Sequence, residues 1–405
     1  MEHIRRDLPG FERFLRPLPF EELAASAIGG PVVLVNVSDL GCHAIVVRSG
    51  SEPEIVALPG LTRGEAVKRA NKWLGAIRVR SDPENRAAAR EAARQNAVEV
   101  LKWLWDKVAG PIAQHLGLDA AGPGQPESGL PRIWWMPTGP LSVLPLHAAG
   151  HYPLTAPQAD EPEWRSETRT MPSRAVSSYA TTLRSLSQAP KAGPDGPDPS
   201  MAFIGMPESP VWAPKANPLP GVLLEKGSVA AHFPEASAAN AYLIQDRATA
   251  PAAIAAIESH SWAHFSCHGS SGGPDPSQAG FALADRWLTM EEIAALHLPN
   301  SEFAFLSACL TAANPADLLD EAYHLTGAMQ MVGFRHVIGT MWPVADMFAA
   351  QVAGQVYAAL AAGRTPTPGQ AARTLHAAVA SVKANSAFGI VGNPLIWATL
   401  MHTGP

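Results

Sequence analysis

The sequence predicts an α/β fold with a mostly parallel central sheet, and three observations carry that expectation. From residue 201 onward, strand-length apolar runs alternate with helix-like stretches, the signature of βαβ units. Three of these runs are Trp-Ala-His-Phe-Ser-Cys-His-Gly at 262–269, Phe-Ala-Phe-Leu-Ser-Ala-Cys at 303–309 and His-Val-Ile-Gly-Thr-Met-Trp at 336–342. The chain is also long, 405 residues with 47% hydrophobic side chains, which is enough for a substantial core in one large domain or two ordinary ones.

Taken in order, residues 1–30 read as a lead-in with one or two short helices. Three strand-like runs follow from Pro31, separated by turn residues at 38–41 and 49–53, which is a meander signal. Helical spacing returns at 61–77. A long helix rich in Ala, Glu, Arg and Gln is expected over 83–108, with Val98, Leu101, Leu104 and Trp105 on one face; Trp103 and Trp105 read as core. At 132–149 the pattern is a strand, a Pro-Thr-Gly-Pro turn, a second short strand and a helix start, with His147 read as structural. A fully apolar strand is expected at 201–206, a helix at 225–232, a short strand at 242–245 and a helix at 248–260 opened by Thr249 and Pro251. After the 303–309 run come a helix at 315–332, the 336–342 strand and a helix at 345–362. The last helix opens on Thr367-Pro368-Gly369-Gln370, a capping-box arrangement. Loops are expected at the Pro/Gly clusters 121–131, 151–173, 186–200, 207–220 and 271–280.

The bulk numbers exclude several classes. Net charge is −6 with no block of like charge, so neither a nucleic-acid footprint nor a membrane-binding basic patch is expected. The first residues lack a signal-peptide core, and no run of 18 apolar residues suggests a membrane span. The cysteines are Cys42, Cys267 and Cys309, too few for a disulfide scaffold or a four-cysteine zinc site. The expectation is a cytoplasmic protein with no cofactor and no metal ligand.

Open α/β sheets bind ligands at the carboxyl ends of their strands, and two of the three runs reach a reactive side chain there, His268 and Cys309. A cysteine nucleophile needs a proton partner and donors for the oxyanion it creates. His268 is expected as general base and acid, Cys309 as nucleophile, and the N–H groups of Gly269 and Cys309 as oxyanion donors. The 41-position separation of His268 and Cys309 suits a crossover to an adjacent strand. Cys267 adjoins His268 but points to the other face of its strand, so it reads as core. The plainer alternative is a buried, inert cysteine near one of the 14 histidines.

His-Phe-Ser-Cys-His-Gly and Leu-Ser-Ala-Cys resemble the two catalytic boxes of the CHAT domain, a caspase-like peptidase domain related to separase. The likeness extends to Trp135–His147, to Val176–Leu183 and to Leu219-Pro-Gly-Val222. It also takes in Trp342-Pro-Val-Ala-Asp346 and Asn393-Pro-Leu-Ile-Trp397. It implies a caspase-like α/β/α sandwich over residues 95–405, preceded by an α+β segment at 1–94, and it implies endopeptidase activity with His268 and Cys309 as the dyad. By the same resemblance Asp346 corresponds to the acidic residue that binds a basic P1 side chain. A carboxylate there would select Arg or Lys; the competing reading of Asp346 is an N-cap for the helix starting near Met347. Asp317, Asp320 and Glu321 are weaker pocket candidates.

The first reading is therefore a cysteine endopeptidase that cuts a protein partner after a basic residue, gated by an activating protein or by an upstream TPR-type module. The alternatives are a catalytically silent binding or scaffold module and a small-molecule thiol hydrolase or acyltransferase. The last would need a deep apolar pocket rather than an extended cleft.

Overall fold

The computed structural model of the protein describes residues 2–8, 16–82, 84–119, 129–154, 169–187, 199–213, 217–270, 279–308, 325–363, 367–384 and 392–405. The loops expected at 121–131, 151–173, 186–200 and 271–280 fall mostly outside that set, as do residues 315–324 of one expected helix.

Two short helices, α1 (Glu2–Asp7) and α2 (Phe20–Ala24), precede the meander of β1 (Val32–Ser38), β2 (Gly41–Val47) and β3 (Glu54–Ala57). Helix α3 (Arg63–Ser81) starts at Thr62, whose side chain accepts the Glu65 N–H. The expected long helix begins at Ala87: α4 (Ala87–Leu104) runs through a π turn at Trp105–Ala109 into α5 (Gly110–His115). Val98, Leu101, Leu104 and both tryptophans, Trp103 and Trp105, are buried.

After β4 (Arg132–Pro137) the expected second strand does not form. Two 3-10 turns, Gly139–Val143 and Leu146–Ala148, take its place. Pro140 and Pro145 have no N–H to give a ladder, and Gly139 turns the chain at φ 54°. Then come β5 (Val176–Tyr179), α6 (Leu183–Ser187), β6 (Met201–Gly205), α7 (Gly221–Ala230), β7 (Ala241–Ile244) and α8 (Ala250–Ser259). Thr249 caps α8 as expected, accepting the Ala252 N–H.

The 262–269 run divides into β8 (Trp262–Cys267) and β9 (Gly269–Ser270). The remaining elements are β10 (Gly280–Ala282), β11 (Trp287–Thr289), α9 (Met290–Ala294), β12 (Phe303–Ala308), α10 (Leu325–Val332), β13 (His336–Thr340), α11 (Asp346–Leu360), α12 (Ala371–Ala384) and β14 (Leu400–Thr403). The capping box expected at Thr367 is absent: Thr367 makes no side-chain cap bond and a 3-10 turn, Pro368–Gln370, leads into α12. A complete capping box stands instead at Thr289 and Glu292.

Among the described residues, eleven strands form one sheet in the order β3-β2-β1-β4-β5-β14-β13-β12-β8-β6-β7. Strand β1 runs parallel to β4, so the meander continues the main sheet. Strands β1, β4, β5 and β14 are parallel to one another. Strands β13, β12, β8, β6 and β7 form a second parallel block, and the two blocks meet antiparallel at β13–β14. Strands β9, β10 and β11 make a separate small sheet.

Strands β13, β12, β8 and β6 are buried on both faces, and alternate side chains enter two cores. Trp262, Phe203, Phe303 and Phe305 face a core closed by Val222 and Val229 of α7 and by Val352, Val356 and Tyr357 of α11. Phe265, Cys267, Ala304 and Leu306 face the other, under Ala253 and Ile257 of α8 and Ala328 and Met329 of α10. Helices on both faces of a largely parallel sheet make the α/β/α layering that the alternating pattern predicts.

Candidate active site

Strands β8 and β12 pair in parallel over their whole length, from Trp262↔Phe303 to Cys267↔Ala308. The residues bonded to that last pair are His268 and Cys309. The two strand ends are thus one inter-strand spacing apart, about 4.8 Å. Cys309 itself lies outside the described residues, as do Asp317, Asp320 and Glu321. Cys267 is buried in the core of the opposite face, which accounts for it without chemistry.

His268 is partly buried, and its Nε2 lies 2.6 Å from the carbonyl oxygen of Asn217. A carbonyl only accepts, so the ring carries its proton on Nε2 and leaves the Nδ1 lone pair as the basic site. Nothing in the sequence pattern around Asn217 marks it for this role, because the acceptor is main chain. Its place in the fold comes from a rigid approach: Asn217-Pro218-Leu219-Pro220 leads into α7, and the Leu219 N–H is held by the Pro207 carbonyl at 2.8 Å.

Gly269 follows directly. The Ala282 N–H donates to the His268 carbonyl at 2.8 Å, which makes His268–Ala282 a hydrogen-bonded pair of the antiparallel register. The next pair, Gly269↔Phe281, is then the non-bonded one. The Gly269 N–H therefore points away from β10.

Asp346 is the first residue of α11, and the N-cap position belongs to Ala345, with no side-chain cap bond. The N-cap reading is thus corrected: the carboxylate is turned toward another helix. Its Oδ2 accepts the N–H of Gly221, the first residue of α7, at 2.6 Å. Partial burial raises the Asp346 carboxyl above its ordinary value. The Gly221 N–H pulls the other way, the Glu225 charge adds to the rise, and the nearby His268 opposes it. Asp346, Glu225 and His268 therefore share one electrostatic neighbourhood.

Beneath them lies a polar cluster that sequence reasoning misses. Glu225 is 1% exposed and His264 is fully buried. His264 Nε2 is 2.6 Å from Glu225 Oε2, its Nδ1 is 2.9 Å from the Tyr357 hydroxyl, and Ser307 Oγ donates to Glu225 Oε1 at 2.7 Å. The His264 ring is stacked between Phe203 and Phe305. A signal exists: Val222, Glu225 and Val229 share the helical spacing of a buried face, and His264 interrupts an apolar strand.

His147 is structural, as expected. It lies half-buried between the Tyr179 hydroxyl, 2.8 Å from Nδ1, and the Ala398 carbonyl, 3.1 Å from Nε2. Burial lowers its pKa to about 4. Among the described residues no helix is long and apolar enough to cross a membrane, and no group of three or more His, Cys, Asp or Glu could hold a metal ion.

Comparison with known proteins places the fold and the family. Two structures of the separase–securin complex of Saccharomyces cerevisiae superimpose with TM-scores of 0.59 and 0.57, each at 10% identity and over 95% of the chain. The chain spans 30% of the separase chain in each. The Arg-specific cysteine proteinase gingipain R aligns with a TM-score of 0.45 at 10% identity, over 84% of this chain and 74% of that one. No curated protein matches the sequence. The fold is therefore the caspase-like α/β fold of separase. The CHAT domain family matches residues 98–405, and the chain belongs to that family.

Proposed function

We propose that the protein is a cysteine endopeptidase with a His268–Cys309 dyad. The observation that carries this is the in-register pairing of β8 with β12 up to Cys267↔Ala308, since His268 and Cys309 are the residues that follow that pair in the sequence. The orientation of His268 supports it, since Nε2 is anchored on Asn217 and Nδ1 is left to work.

The Cys309 thiol gives its proton to His268 Nδ1, and the thiolate attacks the scissile carbonyl carbon. The oxyanion is met by the N–H groups of Gly269 and Cys309. The imidazolium returns the proton to the leaving amine as the C–N bond breaks, and an acyl-enzyme remains. Water, deprotonated by His268, releases the acid and restores the thiol.

A basic P1 residue is the proposed preference. Asp346 keeps one carboxylate oxygen, Oδ1, outside its bond to Gly221 and lies near His268. A half-buried carboxylate there would pair with a guanidinium or ammonium. The peptidase unit is assigned to 95–405 and the segment 1–94 to a lead-in. A protein substrate and an activating protein partner complete the proposal.

The test is cleavage of a fluorogenic peptide library by wild type and Cys309→Ala, with and without cell extract. Cleavage after Arg or Lys that the variant lacks is the expected result. Activity only with extract identifies a gated enzyme. Silence in both, with no labelling of Cys309 by a peptidyl ketone, would leave the scaffold reading in its place.

A further inference from the structure

We propose that Glu225 is a positioning residue for this site: its buried carboxylate fixes α7 to both catalytic strands, and α7 in turn holds the groups that orient His268. The inference rests on the dyad reading above.

Glu225 reaches from α7 to one side chain on each strand, His264 on β8 and Ser307 on β12. Those residues stand four before His268 and two before Cys309. Tyr357 ties the same cluster to α11. One arrangement satisfies every group: His264 Nε2–H and Ser307 Oγ–H donate to an ionised Glu225, and the Tyr357 O–H donates to His264 Nδ1. Burying a charge is costly, and an apolar side chain of similar volume would serve stability as well or better. What an apolar side chain lacks is direction. Two hydrogen bonds from Glu225 to two different strands, with His264 itself held by Tyr357 of α11, fix the rotation and height of α7, which apolar packing does only loosely.

The N-terminal end of α7 is where that precision is used. Gly221 donates to Asp346, and Asn217, four residues upstream, accepts from His268. The link between them is Pro218-Leu219-Pro220. Two prolines fix φ at their own positions and restrict the residues before them. A displacement of α7 is therefore passed on to Asn217 rather than absorbed. The carboxylate in the core, the carbonyl on His268 and the partner of Asp346 form one mechanical unit.

The test compares wild type, Glu225→Ala, Glu225→Gln, His268→Ala and Ser178→Ala. The readouts are kcat and KM on a cleaved peptide, the pH profile of Cys309 alkylation by chloroacetamide, and melting temperature. Ser178→Ala is the stability control. It removes a buried hydroxyl bonded to His402 on β5, away from the dyad. Glu225→Ala is expected to lower kcat by about 100-fold, as an ångström-scale misplacement does, with KM within about threefold. Its alkylation profile is expected to move toward that of an unassisted thiol. Glu225→Gln, whose oxygen accepts from His264 and whose amide donates to Ser307, is expected to recover most of the loss. Ser178→Ala is expected to keep the wild-type kcat per folded molecule. A Glu225→Ala enzyme with wild-type kcat and alkylation profile, or a loss no larger than that of an equally destabilised Ser178→Ala, overturns the inference. If Glu225→Ala does not fold, Tyr357→Phe removes one hydroxyl from the cluster, and the same readouts decide: a kcat loss with KM kept supports the inference, no change overturns it. An alkylation profile that ignores His268→Ala overturns the dyad reading together with the inference. A profile that answers to His268→Ala but not to Glu225→Ala rejects the positioning role alone.

Discussion

Replacing Gly221 by alanine tests the contact between α7 and α11. A Cβ on Gly221 would sit 2.5 Å from Asp346 Oδ1, 2.6 Å from Cγ and 2.8 Å from Oδ2. A Cβ tolerates no non-bonded neighbour that close, and the carboxylate is on a short side chain fixed to the first turn of α11. Asp346 must swing away and give up its 2.6 Å bond to the Gly221 N–H. A hydrogen bond to a charged group contributes about 1.5–3 kcal/mol, while alanine regains up to about 1 kcal/mol of helix propensity. The expected net cost is about 1–2 kcal/mol. Gly227 lies in the same helix, and a Cβ added there would meet nothing within 4 Å, so Gly227→Ala is expected to stabilise by about 0.5–1 kcal/mol. Urea unfolding should move the two variants in opposite directions and separate them by about 1.5–3 kcal/mol. On a peptide substrate, Gly221→Ala should also weaken the preference for a basic P1 residue, whereas Gly227→Ala should keep it. Equal stabilisation by both substitutions would refute the Asp346–Gly221 contact and the account of the pocket built on it.

Asp346→Asn keeps an acceptor for Gly221 but removes the charge. Because burial raises the folded carboxyl above its ordinary 3.8, the unfolded chain gives up this proton first, and the contribution of Asp346 to stability falls as pH rises from 3.8 through the raised value. The stability difference between wild type and Asp346→Asn should therefore grow in favour of the variant across that window, read from urea midpoints; a difference that is flat with pH speaks against the burial. His147 and His376 are half-buried, with pKa values lowered to about 4 by desolvation, so the unfolded chain takes up their protons first as pH falls below 6.5. Stability should drop between pH 6.5 and 4, by up to about 3 kcal/mol for each ring, and unchanged midpoints over that range in circular dichroism would contradict the assignment. Thr289→Ala removes the hydroxyl of the capping box with Glu292 and should cost about 1 kcal/mol in chemical denaturation; a neutral result would mean that the box does not hold α9.

The sheet-forming runs are legible in the sequence because they are short, apolar and flanked by turn residues. The site is legible as far as strand ends can carry it: β8 and β12 end in register at Cys267 and Ala308, and His268 and Cys309 are the next residues in the sequence. Periodicity misleads where one local rule is weighed without its neighbours. The run at 141–147 alternates like a strand, but Pro140 and Pro145 remove the donors a strand needs. Thr367 has the residue types of a capping box, yet its backbone does not bring the side chain over the helix end. Asp346 looks local to its own helix, but its partner is Gly221, 125 residues earlier in the chain. Such long-range pairings leave no local pattern. The Asn217 carbonyl leaves none either, since every residue type offers the same carbonyl. Glu225 and His264 are readable in principle, each a polar residue at a position whose spacing favours an apolar one.

The antiparallel seam between β13 and β14 also has a meaning in time. Strand β14 is the last of the described strands in chain order, yet it sits in the middle of the sheet, between β5 and β13. It is locked there at its end as well, where the Trp134 indole donates to the Gly404 carbonyl at 2.7 Å. A ribosome delivers the meander, β4 and β5 first and the block carrying His268 and Cys309 later. Among the described residues, no strand of one half pairs with a strand of the other until residues 400–403 emerge. Folding during synthesis thus yields two open half-sheets awaiting one four-residue keystone. The chain cannot close its sheet while translation is still under way upstream of that point, and an interrupted product is left with two bare edges.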